Sequence, residues 1–302
     1  MSRENRNGLY RTFMFAPGNH AKNVRKVFDV EADAVILDLE DAVATEEKVA
    51  TRELVVAALK RPRTSLGYVR VNGYDTAFCF GDASAIVGPW LDGIVLPMVE
   101  SGDQLRSFDW LLRNLECERG LVEGSIDLIP IIETGKGIAA LGEIASCGSR
   151  IRRMAFGAGD YTLDMGMTWS LDEWELDQAR ARMVLESRVA ELEAPLDTVW
   201  VHIKDLENLE RSAQRVKAMG FQGKMCIYPP QVAVVNATFT PSEEEVEQAQ
   251  KIVATFEAAE KEGSASIQLD GFFIDYPIAY KAKRTLEIMD TIQSKKISNS
   301  KR

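Results

Sequence analysis

Two carboxylates stand at the ends of apolar runs in this chain. Glu133 closes LIPIIE and opens into TGKGI, and Asp160 closes MAFGAGD and opens into YTLDMG. Each run is strand-like, and each carboxylate sits beside glycine-rich loop chemistry. Two acidic groups at adjacent strand ends, with no cysteine and little histidine nearby, suit a hard divalent cation. Mg2+ is bound by one or two carboxylates and keeps positions open for substrate oxygens. The expected chemistry is therefore metal-assisted, with Glu133 and Asp160 as the metal ligands.

Other charged residues interrupt apolar stretches in the same way. DLEDAV (Asp38–Val43) sets three carboxylates, Asp38, Glu40 and Asp41, at one strand end. Crowded carboxylates repel, so a cation or hydrogen-bond donors must hold them; the plain alternative is helix capping by Asp41 in a solvated loop. VRVN (Val69–Asn72) puts Arg70 inside a buried-type run. A buried guanidinium needs a carboxylate partner. That partner is Glu40 or Asp38 in a structural salt bridge, a substrate, or both. ETGKG (Glu133–Gly137) is not a phosphate loop, because Lys136 is followed by Gly137 rather than Ser or Thr. Its glycines are expected to let backbone N–H groups approach an anion at a helix start. GAGD (Gly157–Asp160) is not a dinucleotide fingerprint.

His20 and His202 are the only histidines, which excludes a histidine-rich zinc site and leaves little for a Ser/His/Asp set. His202 in VWVHIKD reads as a hydrogen-bonded strand-end residue. Arg11, Lys22, Arg25 and Lys26 form a basic cluster around His20. The cluster is either a solvated helix face or a grip on a phosphorylated ligand. Asp275 in IDYP is either the N-cap of a terminal helix or a general base carried on a lid.

These residues need elements to position them. Eight short β-rich runs recur, at Thr12–Ala16, Ala34–Leu39, Tyr68–Asn72, Gly93–Pro97, Leu128–Ile132, Met154–Gly157, Val199–Ile203 and Lys224–Tyr228. Between them lie segments with helical spacing, among them Glu46–Lys60, Gln104–Cys117, Glu173–Leu192 and Leu206–Met219. Continuously apolar runs such as AVILDL suit parallel strands buried on both faces. Eight β-runs alternating with helices predict an α/β fold, a (β/α)8 barrel over residues 10–240, with an open doubly wound sheet as the rival. The strand ends then form one mouth, and the charged residues above fall on it. A C-terminal helical lid or arm is expected over 241–295, from an acidic helix at Ser242–Lys261 capped by PSEEE and a further helix at Ile278–Ile292. A frayed, disordered tail is expected over 296–302.

The bulk numbers fit a soluble globular protein. The 302 residues are 46% hydrophobic and 27% charged. A net charge of −10 argues against nucleic-acid binding. No run spans a bilayer, and the charged N-terminus lacks a signal-peptide core, so a cytoplasmic location is expected. Cys79, Cys117, Cys147 and Cys226 are scattered and read as reduced thiols.

RTFMFAPGN, ADAVILDLEDAV, VRVN, ETGKGI, FGAGD with LDMG, GFQGKMCIYPPQ, FTP and GFFIDYP follow one another in an order that resembles the citrate lyase beta subunits. The malyl-CoA and citramalyl-CoA lyases of the aldolase/citrate lyase superfamily share it. The resemblance covers about residues 10–290. It implies a TIM barrel of the phosphoenolpyruvate/pyruvate type with a C-terminal lid, commonly a homotrimer or hexamer. It also implies that Glu133 and Asp160 hold Mg2+, and that Arg70 contacts the substrate carbonyl or carboxylate. Glu40 and Asp41 match acids that order metal-bound waters, and Asp275 matches a lid aspartate that reaches a neighbouring subunit's site as acid/base. Arg11 and Lys26 are implied to contact a CoA thioester or its phosphates, and Gly159 the substrate. This chain has Met98 where relatives usually have Lys, and Tyr228 where they usually have His.

The expected activity is a Mg2+-dependent carbon–carbon lyase. It would act on a β-hydroxyacyl-CoA to give acetyl-CoA and a 2-oxo acid, or in reverse. Met98 motivates an alternative that acts on a free hydroxy acid without CoA. A third reading is a barrel subunit of a larger lyase complex.

Overall fold

Runs such as AVILD and DLIPII are apolar at every position because both faces of their strands are covered. In the computed structural model, which describes residues 10–300 and side chains to residue 294, eight such strands close into a parallel barrel in chain order. They are β1 (Thr12–Pro17), β2 (Ala34–Asp38), β3 (Leu66–Arg70), β4 (Gly93–Leu96), β5 (Asp127–Ile132), β6 (Ala155–Phe156), β7 (Leu196–Asp197) and β8 (Gly223–Cys226). Helices α1 (Ala21–Lys26), α2 (Lys48–Leu59), α3 (Cys79–Ile86), α4 (Gly102–Glu118), α5 (Gly135–Ala139), α6 (Leu141–Ala145), α7 (Ala158–Asp164), α8 (Asp177–Val189), α9 (Leu206–Met219) and α10 (Pro229–Phe239) fill the connections. The barrel replaces the open-sheet rival.

Two apolar clusters follow from the period of two along each strand. Phe13, Ala34, Ile36, Tyr68, Val95, Ile129, Ile131, Ala155, Leu196 and Met225 form one, the barrel interior. Met14, Val35, Leu37, Val69, Ile94, Leu128 and Phe156 belong to the other, which packs under the helices. Counting on by two from the interior set reaches Asp38, Arg70 and Glu133. These three therefore continue the inward face beyond its apolar layers. At the opposite end the interior is plugged by polar groups: Tyr68 donates to Asp127 at 2.8 Å, and Arg153 bridges Asp127 and Glu193, each at 2.6 Å.

The seventh strand differs from the expected one. The run Val199–Ile203 is irregular, and β7 is the short Leu196–Asp197, paired with Ala155, Gly223 and Lys224. Asp197 faces outward into a buried ion cluster with Arg180, at 2.9 Å, and Lys224. A strand of one leucine and one buried aspartate has no apolar signature, and the apolar run after it has no neighbour to pair with. His202 is consequently exposed, edge-on to Trp200, rather than at a strand end.

The chain divides after Phe239 into a second unit. It contains α11 (Glu243–Lys261), a β9–β10 hairpin (Ile267–Leu269 and Phe272–Ile274) and α12 (Tyr276–Ser300). Ser242 and Glu245 form a reciprocal cap at the start of α11, as PSEEE suggests. Asp270 and Gly271, with φ of 50° and 83°, make the two-residue hairpin turn that only left-handed residues allow. Phe256, Ile274 and Ala279 are the buried core of this unit. The terminal helix is longer than expected and takes in residues 296–300 of the anticipated tail; residues 301–302 lie outside the described residues.

Candidate functional site

Asp38 and Arg70 end neighbouring strands and are register partners. That pairing alone brings their inward side chains together. Arg70 Nε donates to Asp38 Oδ1 at 2.8 Å and Nη2 to Oδ2 at 2.6 Å, a bidentate fork. Its Nη1 lies 2.8 Å from Glu40 Oε2 and 3.3 Å from Asp41 Oδ2. The Phe15 ring lies 5.1 Å from the guanidinium carbon. Asp38 is in turn fixed by the amides of Glu40, at 2.9 Å, and Ala42, at 3.1 Å. Thus the crowded acids of DLEDAV are held by donors, and the salt-bridge reading of Arg70 is observed with both predicted partners.

Glu133 follows β5 on the same inward face. Its Oε1 accepts the Met98 amide at 2.7 Å. Met98 adopts φ of 53°, a left-handed backbone that a non-glycine residue holds only at a cost. On the other side Gly157 has no Cβ, and one placed there would collide with Glu133 Oε2. Asp160 lies in the first turn of α7, just beyond β6. Its carboxylate accepts no hydrogen bond and pairs with no cation among the described residues.

These acids raise one another electrostatically. Burial pushes the Glu40 carboxyl up to about 8; Arg70 opposes this, and Asp41, Asp38 and Asp160 add to it. Burial also raises Glu133 well above the usual carboxylate range; the Met98 amide opposes this, while Glu40 and Asp160 reinforce it. Burial works against the charge of Arg70, but Asp38, Glu40 and Asp41 more than restore it, so it stays protonated. An excess of mutually repelling carboxylates, with Glu133 Oε2 and Asp160 free of hydrogen-bond donors, fits a hard cation. Among the described residues no three His, Cys, Asp or Glu side chains converge as a complete ligand set. A two-carboxylate grip leaves the other positions to water or substrate oxygens, the manner in which Mg2+ is usually held.

The remaining expected residues are placed as follows. Arg11 requires a correction: it precedes β1, at the end of the barrel opposite the mouth, and forks onto Asp33 at 2.9 and 3.1 Å. It cannot contact a ligand at the mouth. Lys26 is exposed on α1, the helix that follows the mouth end of β1. Gly159 is exposed in the first turn of α7, with only Trp169 near the position of a Cβ. Asp275 belongs to the second unit and caps α12, accepting the Ile278 amide at 3.4 Å. The ETGKG amides are not open to an anion as expected. Gly135 N–H donates to Asp164 at 2.7 Å and Gly137 N–H to Thr134 at 3.0 Å. Sequence reasoning missed the Met98 amide and Lys48, whose Nζ donates to the Leu39 and Glu40 carbonyls at 3.1 and 2.7 Å. A backbone donor leaves no mark in residue type, and Lys48 looks like any exposed helix lysine.

A family model described as HpcH/HpaI aldolase/citrate lyase matches residues 11–229. Citrate lyase subunit beta of Leuconostoc mesenteroides subsp. cremoris is 35% identical over 286 residues, 94% of each chain. Mitochondrial citramalyl-CoA lyase of Homo sapiens is 29% identical over 300 residues, 94% of this chain and 87% of that one. Among solved structures, the protein CitE of Mycobacterium tuberculosis in complex with magnesium, acetoacetate and coenzyme A superposes with a TM-score of 0.77. It is 26% identical, covering 95% of this chain and 99% of that one.

Proposed function

The chain belongs to the HpcH/HpaI aldolase/citrate lyase family, and on that premise we propose that it is a Mg2+-dependent carbon–carbon lyase. Its substrate in this reading is a β-hydroxyacyl-CoA of citramalyl, malyl or citryl type, cleaved to acetyl-CoA and a 2-oxo acid or formed from them. The observation that carries the reading is Asp38, Arg70 and Glu133 at inward strand ends, with the donor-free carboxylate of Asp160 just beyond β6 reinforcing the raised Glu133. Magnesium-bound relatives of the same fold support it.

Glu133 and Asp160 would hold the cation, which when bound supplies Lewis-acid stabilisation of a developing carbonyl oxygen. Arg70 spends Nε and Nη2 on Asp38 and one side of Nη1 on Glu40 and Asp41. Its remaining N–H groups bind the oxygen of the 2-hydroxy acid as it becomes the 2-oxo acid. Glu40 and Asp41 order water beside the cation. Lys26 contacts the CoA phosphates, and Gly159 leaves room for the substrate beside Asp160. Asp275, delivered by a neighbouring copy in a trimer or hexamer, takes the hydroxyl proton as the carbon–carbon bond breaks. The same proton returns to the methylene carbon that becomes the methyl group of acetyl-CoA.

The test is Asp160→Ala with a Mg2+ titration. Turnover and cation affinity are both expected to be lost; if both are unchanged, the mechanism is wrong. A CoA-independent reaction is the second reading, favoured by Met98, 40% exposed beside Glu133 at a position where the resemblance implies a lysine. Assays of free hydroxy acids against their thioesters separate the two. A third follows from relatives named as lyase subunits: activity only in the presence of partner chains would support it.

A further inference from the structure

Asp82 lies on α3 and is fully buried, yet it makes no hydrogen bond to a residue with a role in the proposed chemistry. Its Oδ1 accepts Arg52 Nε of α2 at 2.8 Å. Its Oδ2 accepts two donors from Asn72, the backbone N–H at 2.9 Å and Nδ2 at 2.7 Å. The same Asn72 Nδ2 also donates to the Leu39 carbonyl at 2.9 Å, and Leu39 N–H donates to the Arg70 carbonyl at 2.9 Å. Leu39 lies between Asp38 and Glu40, and Asn72 lies two residues after Arg70. One carboxylate therefore ties two helices to the two strand ends that carry Arg70 and its acids. The Asn72 contacts are buried and the Arg52 contact partly so, and in such surroundings geometry is held tightly and loss of a partner is costly. Gly81 confirms the fit: a Cβ there would strike the Arg52 guanidinium at 2.7 Å. Among the described residues Glu133 is held differently, by the Met98 amide just after β4.

We propose that Asp82 is a positioning residue that sets Arg70 against Asp38 and Glu40 through Asn72, while leaving the Glu133 side of the mouth untouched. Only the kinetic part of its test rests on the lyase reading. In Asp82→Asn an amide replaces the carboxylate, so one NH2 must face a donor from Arg52 or Asn72. The Glu40 and Ala42 amides, which donate to Asp38, are expected to exchange with solvent about tenfold faster in that variant. The Met98 amide keeps its protection. Hydrogen–deuterium exchange read on peptides over residues 38–43 and 97–100 distinguishes this from general loosening. Equal change in both peptides, or change in neither, overturns the proposal. Arg52→Gln, which spares the Asp82–Asn72 contact, is expected to give the same pattern in weaker form and decides the matter if Asp82→Asn does not fold. In the proposed reaction, kcat/KM should fall about tenfold or more with Mg2+ affinity within about twofold of the parent; parallel loss of both overturns the proposal. If the parent has no lyase activity, the function proposed above fails while the exchange data still decide the role of Asp82.

Discussion

At the scale of single residues, Glu40 is the most informative group. Its carboxyl, ordinarily near 4.5, is raised to about 8 by burial, against the pull of Arg70 2.8 Å away, so in protein prepared in EDTA it keeps its proton to a higher pH than in the unfolded chain. The unfolded chain releases that proton near the ordinary value. Stability from a raised pKa is complete below the unfolded value and is lost as pH climbs through the folded one. The EDTA-treated protein is thus expected to lose thermal stability between about pH 4.5 and 8, and Glu40→Gln to flatten that slope in melting curves. Mg2+ binding at pH 7 should release protons from Glu40. Calorimetry in buffers of different ionisation enthalpy reads this directly, and a binding heat independent of buffer would contradict it. Arg70 is the counterpart. Asp38 is 2% exposed and depends on it, so Arg70→Met should cost about 3–5 kcal/mol in denaturant unfolding. Arg70→Lys should recover only part, since one ammonium cannot reproduce the fork.

At the scale of elements, strand parity does most of the placing. Inward residues alternate along β2, β3 and β5, so Asp38, Arg70 and Glu133 share the mouth without any further device. This much was legible, because a period of two is a local property of the chain. The helix–strand contact at Gly157 was not, since it depends on how near β6 comes to β5. Gly157→Ala puts a methyl group against Glu133 Oε2, and overpacking of this kind costs about 1–3 kcal/mol. The expected readout is Mg2+ affinity weakened about tenfold or more, with the melting temperature of EDTA-treated protein lowered by a few degrees. Unaltered affinity would mean that Glu133 has another available rotamer. Element reasoning failed at β7 and at the start of α5 for related causes. A strand is made by its neighbours, and an amide at a helix start is available only if no side chain, here Asp164 or Thr134, has taken it.

At the scale of the molecule, the proposed chemistry requires two units, because Asp275 lies outside the Tyr10–Phe239 barrel. If it completes the site of a neighbouring copy, mixing inactive Asp160→Ala with inactive Asp275→Ala and allowing exchange of chains should restore part of the turnover. No restoration would leave Asp275 as the cap of α12 alone. Sedimentation should accordingly give the mass of three or six 33.6 kDa chains.

Read alone, the 302 residues determined the barrel and seven of its eight strands, the cap of the acidic helix, and the acids and arginine at the strand ends. Those features rest on periodicity and residue type within a few positions. Tertiary structure alone decided that Arg11 lies at the wrong end of the barrel, that Met98 lends an amide to Glu133, and that Asp82 ties α2 to two strand ends. The partners in these contacts are separated by roughly ten to thirty-five residues. Their meeting depends on barrel closure and burial, which no local pattern encodes.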